Sequence, residues 1–323
     1  MHHVATLMLV GCALTACQSG GVGSLGAASQ TPAVTELVSL EQGSGSFVIS
    51  GAPDRGEKSV EVYYHVPRDF TVDSPVLLVA PGAGRDAWDY RDVWVEASER
   101  HGVVVLSPHY SEADYPDFWS YNLAGMLTDV EINDARTAMV GYEISTDPSE
   151  WIFGDLDRIF TSVRTSLGLR ARSYDLFGHS AGGQLLHRYV IFGQSAMVDR
   201  VFAANSGWYT VPTFDAVFPY GLDRSTATEG SLREAFSRDL IVFLGELDDR
   251  NETRGELARS PDIDVQGLSR IERGRYFFEV AEETAAQLGA EFNWSMVVVP
   301  GVGHDSVGMS KAAAEQLYGP RGR

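Results

Sequence analysis

From about residue 35 onward the chain alternates compact apolar runs with stretches whose apolar residues recur at helical spacing. "GSFVISG" (45–51) and "KSVEVYYHVP" (58–67) predict an antiparallel pair of strands joined through "APDRGE". "SPVLLVAPGAG" (74–84) is a continuous apolar run that suits a strand covered on both faces. "DAWDYRDVWVEASERHG" (86–102) reads as one helix, with Asp86 as candidate N-cap and Gly102 just past its last turn. "VVVLSPHY", "SYDLFGHS", "RVFAANSGW", "RDLIVFLGELDD" and "NWSMVVVPGVGH" continue the series of strands. Helices are predicted over "SEWIFGDLDRIFTSVRTSLG", "AGGQLLHRYVIFG", "RYFFEVAEETAAQLG" and "SVGMSKAAAEQLYG". Strands alternating with helices imply the α/β class, a mostly parallel sheet with helices on both faces. No linker-like break interrupts residues 35–323, which read as one domain.

One junction in this pattern carries a candidate nucleophile. "DLFGHSAGG" (175–183) sets Ser180 between glycines, at the end of a predicted strand and the start of a predicted helix. The bare G-x-S-x-G pattern is expected by chance in roughly 0.3 of chains this rich in Gly and Ser, so context must decide. A strand that turns sharply into a helix needs small neighbours, and Gly178, Gly182 and Gly183 supply them. A serine hydroxyl also needs a base to take its proton. Among eight histidines, His304 stands directly after the last predicted strand, in "PGVGHDS". The strand "LIVFLGELDD" ends on two adjacent carboxylates, Asp248 and Asp249.

The strand–turn–helix around Ser180, with an acid and then a histidine after later strands, resembles the α/β-hydrolase superfamily over nearly all of residues 40–320. The resemblance implies Ser180 as nucleophile and His304 as base. It implies Asp248, in the G-x-x-D pattern Gly245-Glu246-Leu247-Asp248, as the acid, with Asp249 as its rival. An oxyanion hole is then expected from the backbone N–H of Ala181 and that of Ala83 in the loop Pro81-Gly82-Ala83-Gly84. The chain is similar to esterases and to polyhydroxyalkanoate-depolymerase-like members. The expectation is a serine hydrolase that cleaves small, oligomeric or polymeric carboxylic esters through an acyl-enzyme. Peptide or amide hydrolysis by the same groups, or a non-catalytic binding protein that keeps the fold, are the alternatives.

Two aromatic segments leave the same edge of the predicted sheet, "SEADYPDFWSYNLAGM" (111–126) and "WYTVPTFDAVFPYG" (208–221). Trp208 and Tyr209, with His109 and Tyr110, are the candidate substrate contacts. About thirty residues separate "RVFAANSG" from "DLIVFLG", room for a short cap segment only.

The first residues read differently. Residues 4–16 form an apolar stretch of signal-peptide length, too short for a comfortable membrane span. Leu14-Thr15-Ala16-Cys17 resembles the lipobox of bacterial lipoproteins, although no Lys or Arg precedes Arg55. The expectation is a signal peptide over 1–16, lipid on Cys17 and a flexible tether over 17–34, whose small polar residues reach roughly 20 Å. That predicts an exported protein anchored to the bacterial outer membrane, with an ordinary cleaved signal peptide as the alternative. Cys12 and Cys17 are the two cysteines of the sequence, so cleavage before Cys17 leaves no intrachain disulfide. A net charge of −19 and the absence of a basic run argue against nucleic acid as a partner. No H-E-x-x-H, cysteine pair or phosphate-cradling loop points to a metal or cofactor.

Overall fold

The computed structural model describes residues 36–51, 58–134, 139–193 and 195–320. The expected signal peptide, lipobox and tether lie outside the described residues, as does the 52–57 stretch expected to join the first two strands. Thr35–Arg323 form one compact unit.

In chain order the strands are β1 (Gly43–Ser50), β2 (Ser59–Val66), β3 (Val76–Ala80), β4 (Val104–His109), β5 (Leu127–Ile132), β6 (Met139–Ile144), β7 (Tyr174–His179), β8 (Val198–Ala204), β9 (Asp239–Gly245) and β10 (Ser295–Val299). The helices are α1 (Ala87–Val93), α2 (Val95–His101), α3 (Asp117–Tyr121), α4 (Phe153–Leu167), α5 (Ala181–Phe192), α6 (Glu229–Phe236), α7 (Pro261–Asp264), α8 (Arg270–Leu288) and α9 (Ser306–Tyr318). Among the described residues eight strands make one sheet in the order β1-β2-β4-β3-β7-β8-β9-β10. β1 and β2 pair antiparallel, as does β2 with β4, and every other neighbour pair is parallel.

The continuous apolar strands are explained by burial on both faces. Val76, Leu78 and Ala80 of β3 join one core cluster, with Leu156 and Phe160 of α4 and Leu185 of α5. Leu77 and Val79 point the other way, into a second cluster with Trp94 and with Met309 and Ala313 of α9. Side chains of a strand alternate between faces, so a strand with helices on both sides has no polar positions to spare.

Three departures from the sequence reading matter. The helix expected over 86–102 is two, α1 and α2, broken at Trp94, whose ring is buried edge-on against Phe177 at 5.2 Å. Asp86 sits at the N-cap position but its side chain makes no capping bond. A second, two-stranded sheet, β5 with β6, lies in the segment read only as aromatic and irregular, and α6 lies in the expected short cap segment. The β5–β6 ribbon is tied to the 208–221 segment by the Tyr142 hydroxyl, which donates to the Phe218 carbonyl.

Candidate active site

Strand β7 runs straight into α5 with Ser180 as the connecting residue, held at φ 57°, ψ −112°. A non-glycine residue at positive φ is strained, and the surroundings must over-determine it. They do so by close packing. A Cβ on Gly182 would overlap the Ala80 carbonyl, and one on Gly178 would overlap the Gly182 carbonyl. A Cβ on Gly183 would lie 2.6 Å from both Ala204 O and Ser206 Oγ. The Ser180 N–H donates to the Ala204 carbonyl at 2.9 Å, which fastens the turn to β8.

Loops after β9 and β10 bring two further groups to the same place. Ser180 Oγ lies 3.1 Å from His304 Nε2, and His304 Nδ1 lies 2.8 Å from Asp248 Oδ2. A carboxylate only accepts, so Nδ1 carries the proton of the neutral imidazole and Nε2 is left to accept from the serine hydroxyl. Asp248, not Asp249, reaches the ring. Asp249 turns away and accepts from the Asn251 backbone N–H at 2.8 Å. Asp248 is 1 % exposed and its other oxygen, Oδ1, receives Arg270 Nη1 at 3.2 Å.

The loops themselves are held by side chains. Glu252 Oε2 accepts the His304 backbone N–H at 2.7 Å. The Arg254 guanidinium, followed by the backbone N–H groups of Arg254 and His304, holds the Glu252 carboxyl well below the usual carboxylate range against the opposing effect of burial. Asn205, just past β8, donates to the Gly303 carbonyl at 2.9 Å and accepts the Gly245 N–H at 2.7 Å. The His179 ring packs on the His304 ring at 4.7 Å and its Nδ1 meets the Tyr90 hydroxyl at 3.0 Å. Burial, then the nearby His304, Arg270 and Arg254, push His179 well below the ordinary histidine value, so it stays neutral. Burial likewise pushes the Tyr90 phenol up to about 12.

Ser180, Ala181 and Ala83 border a cavity of about 470 Å³. The N–H of Ala181 is the first of α5 and so has no partner within its helix. The loop bearing Ala83 is braced from below: Tyr121 donates to the Pro81 carbonyl at 2.8 Å, and the buried Arg85 donates to the Tyr110, Tyr115 and Asp117 carbonyls. A serine hydroxyl bonded to an imidazole acceptor and facing a cavity can attack an electrophilic carbonyl.

Of the four expected substrate contacts, the structure brings one to the cavity. Trp208 lines it, with the Arg188 guanidinium 4.3 Å from its ring centroid. Tyr209 does not reach it: it is fully buried, stacked on Phe277 at 4.5 Å, with its backbone gripped by Gln266. The chain bends at Gly207–Trp208, and of the two adjacent aromatics only Trp208 faces the cavity. Tyr110 is also core, buried against Tyr115 and Tyr121. His109 is bonded to the Arg85 carbonyl at 2.8 Å beside Trp88, outside the cavity lining. Both aromatic segments expected as walls contribute, the second also through Tyr220, whereas the ribbon, Gln184 and the loop after β9 were not anticipated. Phe118 and Asn122 come from the first aromatic segment, and Ile132 and Met139 from the β5–β6 ribbon. Gln184 lies one turn along α5, and Glu256–Arg259 lie on the loop after β9. Of the walls not anticipated, only Gln184 carried a readable signal, its i+4 position relative to Ser180.

No protein-family model matches the chain, and no curated protein matches it. Solved structures do. A poly(aspartic acid) hydrolase-1 from Sphingomonas sp. KT-1 is 33 % identical over 86 % of this chain and 99 % of its own, with a TM-score of 0.75. A poly(3-hydroxybutyrate) depolymerase from Bordetella parapertussis is 30 % identical over 86 % of this chain and 90 % of its own, with a TM-score of 0.77. A siderophore hydrolase from Aspergillus nidulans shares the fold alone, at 15 % identity over 85 % of this chain and 95 % of its own, with a TM-score of 0.52.

Proposed function

The chain belongs to the serine hydrolases of the α/β-hydrolase type, and from that membership we propose that it cleaves carboxylic esters of an oligomeric or polymeric substrate through an acyl-enzyme on Ser180. The observation that carries the reading is the hydrogen-bonded series Ser180–His304–Asp248 opening on the cavity. His304 Nε2 takes the hydroxyl proton as Oγ attacks the ester carbonyl, and Asp248 holds the imidazolium that results. The Ala181 and Ala83 N–H groups receive the negative charge that develops on the carbonyl oxygen. The imidazolium then gives its proton to the departing alcohol. Water, deprotonated by the same nitrogen, repeats the cycle on the acyl-enzyme and releases the acid.

Two features favour an uncharged polymer. The cavity walls are largely apolar, with Phe118, Ile132, Met139, Trp208, Leu257 and Ile263 among them. The net charge of −19 would oppose the approach of a polyanion. Amide hydrolysis is the second reading, favoured by the Sphingomonas relative, whose named substrate is a polymer joined through amide bonds. Export and lipid attachment at Cys17 complete the proposal on the strength of the Leu14–Cys17 pattern. Loss of a lipid-sized mass from the mature N-terminus in Cys17→Ser would support them.

The test is turnover of p-nitrophenyl esters of increasing chain length and of a matched anilide, on wild type and Ser180→Ala. Ester turnover that vanishes in Ser180→Ala is the expected result. Anilide turnover matching ester turnover would move the assignment to amides. A fluorophosphonate that fails to label folded wild type would sink the serine mechanism altogether.

A further inference from the structure

Arg270 opens α8 and is 3 % exposed, yet it does more than neutralise a buried carboxylate. Its Nη1 meets Asp248 Oδ1 at 3.2 Å, the oxygen that His304 leaves free. Its Nη2 donates to the Glu256 carbonyl at 3.0 Å, and Nη1 also lies 3.5 Å from the Arg254 carbonyl. The loop it grips passes directly over the base: a Cβ on Gly255 would lie 3.0 Å from His304 Cδ2 and 3.2 Å from His304 Nε2. The next residues, Glu256 to Arg259, are cavity wall. One guanidinium therefore ties the partner of the imidazole to the wall of the binding cavity.

We propose that Arg270 is a positioning residue with two separable tasks: its charge restrains the basicity of His304 through Asp248, and its planar fork holds the 254–259 wall in register with the reacting groups. The inference rests on the serine-hydrolase mechanism proposed above. A cation beside the carboxylate weakens the hold of that carboxylate on the imidazolium. The other charged or titratable groups around His304 are few. His179 stacks on it from β7, with Tyr90 of α1 behind. Glu252 binds its N–H, Arg254 pairs with Glu252 and Asp305, and Asp305 follows it in sequence. The fork matters independently, because an ammonium is a point donor and cannot span the Asp248 carboxylate and the Glu256 and Arg254 carbonyls in one plane.

The experiment measures the rate of Ser180 modification by fluorophosphonates from pH 5.5 to 9, in wild type, Arg270→Gln and Arg270→Lys. A short-chain and a long-chain probe are used, so no ester substrate needs to be known. Arg270→Gln should label about threefold more slowly than wild type at pH 6, relative to each protein's own rate at pH 8.5. Arg270→Lys should keep the wild-type pH profile but lose preference for the long-chain probe by about fivefold, because the wall is no longer held. Superimposable profiles for wild type and Arg270→Gln overturn the charge role, and an unchanged probe preference in Arg270→Lys overturns the fork. Should Arg270→Gln not fold, the Lys variant alone decides, since a shifted profile or a retained preference in it contradicts the proposal. Wild type that does not label sinks the serine mechanism and this inference with it.

Discussion

On the serine side of the site the backbone does the positioning, whereas on the histidine side the side chains do. Ser180 is held in its strained conformation by Gly178, Gly182 and Gly183, which lie so close to neighbouring backbone that no Cβ fits. Asp248 and His304 sit on loops, and what holds them is Arg270, Glu252 and Asn205, each bonded to a loop carbonyl, N–H or carboxylate. The first arrangement leaves no room for a side chain at these glycines. The second can be altered one hydrogen bond at a time without disturbing the turn at Ser180.

The contrast can be broken most severely at Gly182. Gly182→Ala should abolish labelling of Ser180 and destabilise the fold by about 3 kcal/mol or more, because the added methyl overlaps backbone that cannot move aside. Thermal unfolding and fluorophosphonate labelling would check it; a folded, labelled variant would show that the turn is less constrained than its packing implies.

A smaller but still large effect belongs to the acid. Asp248→Asn should lower kcat by roughly 10³–10⁴-fold while Asp249→Asn stays within about twofold, since only the former removes the acceptor that fixes the tautomer. Comparable losses in both would mean that the loop, not the carboxylate, sets the imidazole.

The mildest test concerns Glu252. Its carboxyl is held below the model-peptide value of 4.5, so folding favours the ionised form. The stability it contributes is fully present above that value and is lost as pH falls through its depressed native value. The Tm difference between wild type and Glu252→Gln should therefore be constant from pH 7 down to about 4.5 and shrink below it. A difference that is flat down to pH 3 would remove the carboxylate's charge from the anchoring of His304.

The same contrast explains what could be read without a structure. Gly178, Ser180, Gly182 and Gly183 are legible because their constraint is local: the residues that crowd the turn are near in sequence or in the adjoining strands. His304 and Asp248 are legible because parallel strands deliver their following loops to one edge of the sheet. Arg270 offered no signal, since its partners lie 22 and 14 residues away, on the far side of the short helix α7 and its flanking loops. The β5–β6 ribbon escaped notice because "LTDVEI" and "MVGYEI" are short, acidic and half exposed, and acidic residues are depleted in strands. Tyr209 misled because its aromatic character suits a pocket as well as it suits the core it occupies.

The sequence by itself determined the alternation of strands and helices, the turn at Ser180 and the order of the three residues that meet at the site, since periodicity and glycine sterics act over a few residues. The tertiary structure alone decided which of two adjacent aspartates meets the imidazole and which of two adjacent aromatics faces the cavity. It also decided which distant arginine binds the assembly together. Those choices depend on where separate segments meet in space, and a local pattern carries no record of that.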